Sequence, residues 1–339
     1  MKRLAACLAA LCLAVAPAAR AQGSGSPTLD AMRARGALVC GVSGTTPGFS
    51  LPDSGGEMRG SDADFCRSVA AAALGDASRV RFVALSSTNR FTALQSGEVD
   101  LLARTATWRL GREASLGLMF TGVTFYDGTA FMVKTASGLR SARDLDGATI
   151  CILPGTSTEL AVSDWFRQNG LRFTPLLIDS TTALRGAFLA DRCDAYATDS
   201  SALAAFRANA GDRRDDFTLL PELISKEPLG PVVRKGDDRW FDIVRWTLFA
   251  LLAAEEGGVT SANAREQLGS ANPDIRRLLG ADGALGPQLG LDPRWAFTVI
   301  TQLGNFAEQW QRNLAPLGLS RGVNALWSQG GLHYSPPFR

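Results

Sequence analysis

The sequence predicts an α/β protein of two similarly built lobes around a central cleft, followed by a helical extension. Two observations predict it. Strand and helix alternate in the same order in two successive halves, and one ungapped stretch is shared between those halves. In the first half, residues 37–42 read as a buried strand and 43–60 as a turn-rich loop. Ser61 or Asp62 is placed to cap a helix that runs to Leu74 and ends at Gly75. A strand follows at 80–85, then a short helix capped by Thr88 and stopped by Gly97, then a strand at 99–103.

The second half repeats this order, with strands at 149–153, 173–178 and 195–198 and helices at 158–169 and 182–190. Residues 88–100 align with 182–194 without gaps, bringing Leu94 onto Phe188 and Asp100 onto Asp194. Such alternation predicts a parallel sheet covered on both faces, with ligands bound beyond the carboxyl ends of the strands. In this register 103–107 and 197–199 are equivalent loops, one per lobe, which meet if the lobes face each other. Gly and Pro cluster near 126–129 and 227–230, where the chain is expected to cross between lobes. The expected divisions are 1–21, 22–127, 128–229 and a return to the first lobe with its extension at 230–339.

The first division is an export signal. Lys2 and Arg3 precede an apolar run at 4–15, Pro17 breaks it, and Ala19-Arg20-Ala21 has the small-x-small form of a cleavage site. The run is too short to anchor in a bilayer. A lipid anchor at Cys7 is disfavoured because the apolar segment follows that cysteine instead of preceding it. The mature chain then begins near Gln22 in the periplasm. Cys7 and Cys12 leave with the signal, so Cys40, Cys66, Cys151 and Cys193 remain, and an oxidising compartment favours two disulfides. Chain order points to Cys40–Cys66 and Cys151–Cys193, one in each half.

A chain of 339 residues accommodates two domains, and its net charge of +2 with interspersed signs disfavours nucleic acid as a partner. The apolar stretch 240–254 is interrupted by Asp242 and Arg245 and repeats at helical spacing, so it reads as a buried amphipathic helix and not a membrane span. His333 is the only histidine, which leaves no Ser–His or Cys–His pair, and no metal-ligand spacing or phosphate loop is present. Neither cofactor nor metal is expected, and no catalytic residue is assigned.

Several motifs in order resemble the general L-amino-acid-binding proteins of polar amino acid ABC transporters, in solute-binding protein family 3. They are Gly-Ser-Asp-Ala-Asp-Phe-Cys66, Arg-Phe-Thr-Ala-Leu-Gln-Ser-Gly-Glu-Val-Asp100, Gly-Val-Thr-Phe-Tyr-Asp-Gly128, Arg-Cys-Asp-Ala-Tyr-Ala-Thr-Asp199 and Ile-Ser-Lys-Glu-Pro-Leu-Gly-Pro-Val-Val-Arg234. The likeness runs from about Leu29 to the segment ending at Tyr334. It implies a type II periplasmic binding protein-like fold, an ABC permease partner and a free L-amino acid ligand of fairly broad kind; for the oligomeric state, which the sequence does not reveal, a monomer is the simplest expectation.

By that resemblance Arg112 matches the arginine that holds the ligand α-carboxylate, with Thr105 and Thr107 just upstream. Gly155, Thr156 and Ser157 match the segment across the cleft, and Asp199 matches the acid that receives the ammonium. Relatives usually carry Phe, Leu or Tyr where Ser61 stands and Asn-Thr where Thr105-Ala106 stand, which bears on side-chain specificity. The chemistry suits a zwitterion. Arginine presents a planar fork to a carboxylate, and Thr156 and Ser157 stand at a helix start whose free N–H groups favour an anion. Asp199 is equally placed to cap the following helix. Arg104 either selects an acidic or amide side chain or pairs with a nearby carboxylate. Phe49 and Trp108 are candidates for the side-chain pocket, and Ser87 and Ser43 for its rim. Two other functions remain beside capture for transport: a sensor that presents the amino acid to a membrane receptor, and a lyase or dehydratase on the same fold.

Overall fold

The computed structural model describes residues 24–339. The segment expected to be a signal peptide, with Cys7 and Cys12, lies outside the described residues. Within the described residues the chain forms two five-stranded sheets. The first takes the order Val80–Ala84, Leu38–Val42, Leu101–Leu102, Val232–Arg234, Leu118–Phe120. The second takes the order Thr174–Leu177, Thr149–Ile152, Ala195–Asp199, Thr129–Lys134, Phe217–Leu219. The three strands expected in each half do pair in parallel.

Each sheet is nevertheless mixed. Thr129–Lys134 runs antiparallel to Ala195–Asp199, and Val232–Arg234 runs antiparallel to its neighbours in the other sheet. Both are strands that enter a lobe directly after a crossing, so their direction is set by the connector instead of by a strand–helix–strand unit. The connector is an antiparallel ribbon of Phe125–Asp127 and Glu227–Leu229. Gly230 follows it where the strands approach so closely that a Cβ would sit 1.9 Å from the Gly122 carbonyl oxygen.

Local chemistry explains most boundaries. The helix Ser61–Leu74 ends at Gly75, whose φ of 76° places it in the left-handed region that terminates helices. Its N-cap is Gly60 instead of Ser61 or Asp62, because the chain packs there against the backbone of Phe49. The second short helix begins at Arg90, with Asn89 at the cap and no side-chain capping bond. Thr88 does not cap it; its hydroxyl donates to Asp179 of the other lobe at 2.7 Å. Disulfides join Cys40 to Cys66 and Cys151 to Cys193, one per lobe.

The stretch 240–254 lies within a helix, Asp238–Glu256, which buries Ile243, Val244, Leu248, Leu251 and Leu252. Asp237 caps it at the Trp240 N–H and also accepts from Ser26 and Thr28, tying the first described helix, Pro27–Arg35, to the returning chain. No described helix is long and apolar enough to cross a membrane. Beyond it, the extension packs on the first lobe through Trp295–Leu303 and Phe306–Asn313. Arg312 and Asn313 both donate to Asp64 of the helix Ser61–Leu74.

Candidate functional site

The carboxyl ends of the two sheets face each other across a closed cleft. Thr105 and Thr107 from the first lobe and Thr198 and Asp199 from the second line one small cavity of about 50 Å³. The two loops matched in the sequence do therefore meet. Arg90, Arg104, Thr156, Ser157, Arg185 and Tyr196 line the same cavity. An adjoining cavity of about 240 Å³ shares Ser43, Arg104, Leu153 and Thr181 with it and reaches Ser87 and Asp179.

Bonds across the cleft hold it closed. Thr107 and Ser157 share a hydroxyl–hydroxyl bond of 2.8 Å, and Ser157 donates on to Glu227 at 2.7 Å. Ser87 donates to the Pro154 carbonyl at 2.8 Å, and Arg185 reaches the Thr45 carbonyl at 3.1 Å. A cavity of this size holds a few water molecules, and the adjoining one is several times larger.

Arg112 lies behind Thr107, outside the lining of either cavity, and is 3% exposed. One guanidinium nitrogen donates to the Thr107 carbonyl at 2.8 Å, while Nε and Nη2 have no partner among the described residues. A buried donor without an acceptor carries a desolvation penalty, which an arriving carboxylate would relieve. Burial, with Arg109 nearby, lowers its pKa to about 10, so it remains charged at neutral pH. Its guanidinium also lies 5.0 Å from the Phe91 ring centre, which fixes the fork in place.

Asp199 ends the strand Ala195–Asp199 and precedes the helix Ser200–Ala208, yet makes no side-chain capping bond to it. Asp127 does that work instead, accepting from the Ser200 hydroxyl and the Ser201 N–H. Asp199 is thus left free at the cavity wall. Burial, Asp127 and Glu227 together hold its carboxyl well above the usual carboxylate range, and Arg90 and Arg112 pull it partly back.

Thr156 caps the helix Ser157–Gln168 by accepting from the Glu159 N–H, so that helix start points at the cavity. Thr105 adopts φ 39°, the left-handed region, and its N–H donates to Asp62 at 3.1 Å. Backbone strain of this sort collects where a loop is held in one shape for a ligand. Arg104 lines both cavities and donates through Nε to the Leu85 carbonyl at 2.7 Å. It forms no ion pair within 4 Å among the described residues; Asp62, Asp179 and Asp199 act on it only at longer range.

Three candidates fall elsewhere. Phe49 is in the core, 5.5 Å from Phe125 in an edge-on pair that continues to Trp310, because this apolar stack offers it more contact than a polar cleft. Trp108 stacks on Phe120 and donates to Glu113, away from the cavity lining. Ser87 is directed at Pro154 and Asp179, so it joins the lobes and borders only the adjoining cavity. Conversely, Arg90, Arg185 and Tyr196 line the site without having been singled out. For Arg90 a signal exists in the sequence: it begins a helix, where the macrodipole disfavours a cation, so a compensating role was to be expected there.

No group of three metal-ligating side chains occurs among the described residues. A larger cavity of about 370 Å³ lies beneath the C-terminal tail, beside Trp327 and Phe338, but its only arginine, Arg339, is exposed. Two lobes, a two-stranded connector and a polar cleft with opposed, unpaired charges define a cleft-type solute-binding protein.

Comparison with known proteins carries this further. The chain belongs to the bacterial extracellular solute-binding proteins, family 3, whose model matches residues 38–257. It is 48% identical over 342 residues to the putative amino-acid ABC transporter-binding protein YhdW of Escherichia coli K12, covering 100% of this chain and 99% of that protein. It is 45% identical over 343 residues to the general L-amino acid-binding periplasmic protein AapJ of Rhizobium johnstonii, with the same coverage. The solved structure of an ABC transporter periplasmic binding protein from Brucella ovis, with glutathione bound, matches with a TM-score of 0.89 at 47% identity, over 92% of this chain and 99% of that one. These relatives are named as binding proteins, so the lyase alternative finds no support among them.

Proposed function

We propose that the protein captures free L-amino acids in the periplasm, as a monomer, and delivers them to the permease of an ABC transporter. The observation that carries this reading is a pair of opposite charges on the two sides of one closed cleft: Asp199 of the second lobe, which lines the cavity without a side-chain hydrogen bond among the described residues, and Arg112 of the first lobe, buried just behind the cavity-lining Thr107 with two guanidinium nitrogens unpartnered there. The α-carboxylate takes the free guanidinium nitrogens of Arg112, the hydroxyl of Thr107 and the helix start at Thr156 and Ser157. The ammonium takes Asp199. The lobes exchange at residues 127–128 and 229–230, so closing over the ligand bends the ribbon and leaves each sheet intact. Charge-assisted bonds contribute about 1.5–3 kcal/mol each, so three or four suffice for micromolar binding after ordering costs. The names of the relatives, an amino-acid ABC transporter-binding protein and a general L-amino acid-binding protein, support this reading.

The test is titration calorimetry of the native protein and of Arg112→Met against the common amino acids, with a melting curve of each empty protein. Loss of binding with an unchanged or raised melting temperature is expected, since the substitution removes an unpaired buried charge. Native affinity in the variant would show that the carboxylate is held elsewhere.

A further inference from the structure

We propose that the C-terminal loop 321–334 braces the ribbon between the lobes, with Asn324 as the positioning residue, and that this brace sets how tightly the closed cleft holds any ligand. The proposal rests on the lobes closing over a ligand, not on which ligand they hold. The loop lies beyond residue 257, where the family match ends, and none of its residues lines either cleft cavity. The reason for a brace begins in the ribbon. Tyr126 stands opposite Pro228. Proline has no N–H to offer, so this pair exchanges no hydrogen bonds, and the N–H and carbonyl of Tyr126 point out of the ribbon. The Pro228 carbonyl points out of the other edge, where it accepts from the Trp108 N–H at 2.8 Å. On that edge Thr107 also bridges to Leu229, and Gly230 donates to the Ala106 carbonyl at 3.0 Å. The ribbon is thus joined to the loop that carries Thr107.

On the Tyr126 edge a single side chain takes both groups. The Asn324 amide oxygen accepts from the Tyr126 N–H at 2.7 Å, and its nitrogen donates to the Tyr126 carbonyl at 3.0 Å. Asn324 is 4% exposed and stands in for a further strand. The Tyr126 ring lies 5.2 Å from the His333 ring, and Phe125 beside it stacks on Trp310 at 5.6 Å. The loop is closed on itself and fixed at its base. His333 donates to the Ala325 carbonyl and Leu332 to the Val323 carbonyl, and a Cβ on Gly331 would lie 1.9 Å from the Ala325 carbonyl oxygen. Arg321 pairs with Glu255 at 3.1 Å and Trp327 donates to Glu256, both at the end of the helix Asp238–Glu256 of the first lobe. The consequence for binding is entropic. When the lobes part, Tyr126 stays tied to the first lobe, so bending is confined to residues beyond it. Without Asn324 the ribbon bends over a longer span, the open form gains conformations, and closure becomes less favourable. A ligand held by the closed form then loses affinity by one common factor, whatever its side chain.

The experiment is calorimetry at pH 7.5 with L-glutamate, L-glutamine, L-alanine and L-leucine on the native protein, Asn324→Ala, Asn324→Asp and Gln302→Ala, with a melting curve of each. Gln302 is the matched control: it too ties the extension to the first lobe by two backbone bonds, from the Ala77 N–H and to the Gly75 carbonyl, but away from the ribbon. In Asn324→Ala every amino acid that binds the native protein should bind more weakly by the same factor, roughly fivefold to thirtyfold, with their order unchanged. Asn324→Asp keeps the acceptor for the Tyr126 N–H and should recover part of the loss, while Gln302→Ala should bind as the native protein does. Native affinity in Asn324→Ala overturns the proposal, leaving Asn324 a purely structural role. A loss confined to one ligand, or an equal loss in Gln302→Ala, overturns it as well. Should Asn324→Ala fail to fold, Asn324→Asp carries the same comparison against Gln302→Ala. If none of the four ligands binds the native protein, the amino acid reading fails instead, and hydrogen exchange of the empty proteins decides on the brace. The Glu227 and Leu229 amides, which Asn324 does not touch, should then exchange faster in the Asn324 variants and not in Gln302→Ala; unchanged exchange overturns the proposal.

Discussion

A carboxylate that must ionise in order to hold an ammonium makes ligand capture a proton-linked event. Asp199 is such a group: it lines the cavity, has no side-chain hydrogen bond among the described residues, and sits beside Asp127 and Glu227. Burial and these two neighbours raise its pKa in the empty protein. An arriving ammonium favours the ionised form and lowers it again. Below the raised value, binding therefore releases up to one proton, and affinity falls about tenfold, or about 1.4 kcal/mol, for each pH unit. Above it, binding is independent of pH. The sign for stability runs the same way. A raised carboxyl pKa means that the folded state favours the proton, so this group's contribution to stability is present at low pH and is lost as pH rises through the raised value. Calorimetry with L-alanine at pH 5, 6, 7 and 8, in buffers of different ionisation enthalpy, counts the protons directly. The α-groups of the ligand keep their charges throughout this window. Asp199→Asn should release no proton and bind roughly ten- to a hundredfold more weakly, the loss of one charge-assisted bond. A dissociation constant that is flat from pH 5 to 8, with a heat independent of buffer, would refute the reasoning.

Other expectations concern closure and stability. Asp179→Ala removes the bonds from Ser87 and Thr88 across the cleft, so small-angle scattering should report a more open empty protein, and affinity should fall severalfold; no change in either would show that these bonds do not govern closure. Asp62, pushed up to about 6 by burial, is held by the Thr105 N–H. Its raised pKa makes the ionised form a liability above that pH, so Asp62→Asn should stabilise the protein by up to about 3 kcal/mol at pH 7.5 and by much less at pH 4.5. An equal shift at both values would contradict this. Replacing Cys151 and Cys193 by alanine opens a loop of sequence separation 42, and urea unfolding should show a loss of about 4 kcal/mol in the chain-entropy model. A loss below about 1 kcal/mol would mean that the unfolded chain gains little freedom.

The lobes were legible because their signals are local. Alternation of apolar runs with capped helices located the three parallel strands of each sheet, and the order of the cysteines along the chain matched their pairing. The antiparallel strands Thr129–Lys134 and Val232–Arg234 were not foreseen, since their partners depend on where the ribbon sends the chain. The same limit explains the side chains. Phe49 was drawn to Phe125 and Trp310, a stack assembled from distant segments. Thr88 and Asp199 both had capping chemistry, but Asp179 claimed the first and Asp127 displaced the second. Arg104, Thr105 and Thr107 followed a strand end, and position alone brought them to the cleft. Arg90 stood on the neighbouring helix, where only its mismatch with the helix dipole marked it.

The most direct measurement is a crystal structure of the protein grown with a bound L-amino acid. The guanidinium of Arg112 should contact the ligand's α-carboxylate, and the carboxylate of Asp199 should contact its ammonium, with the Thr107–Ser157 bond broken or rearranged to admit it. An amino acid held in the cleft by neither residue, or held outside the cleft altogether, would contradict the account.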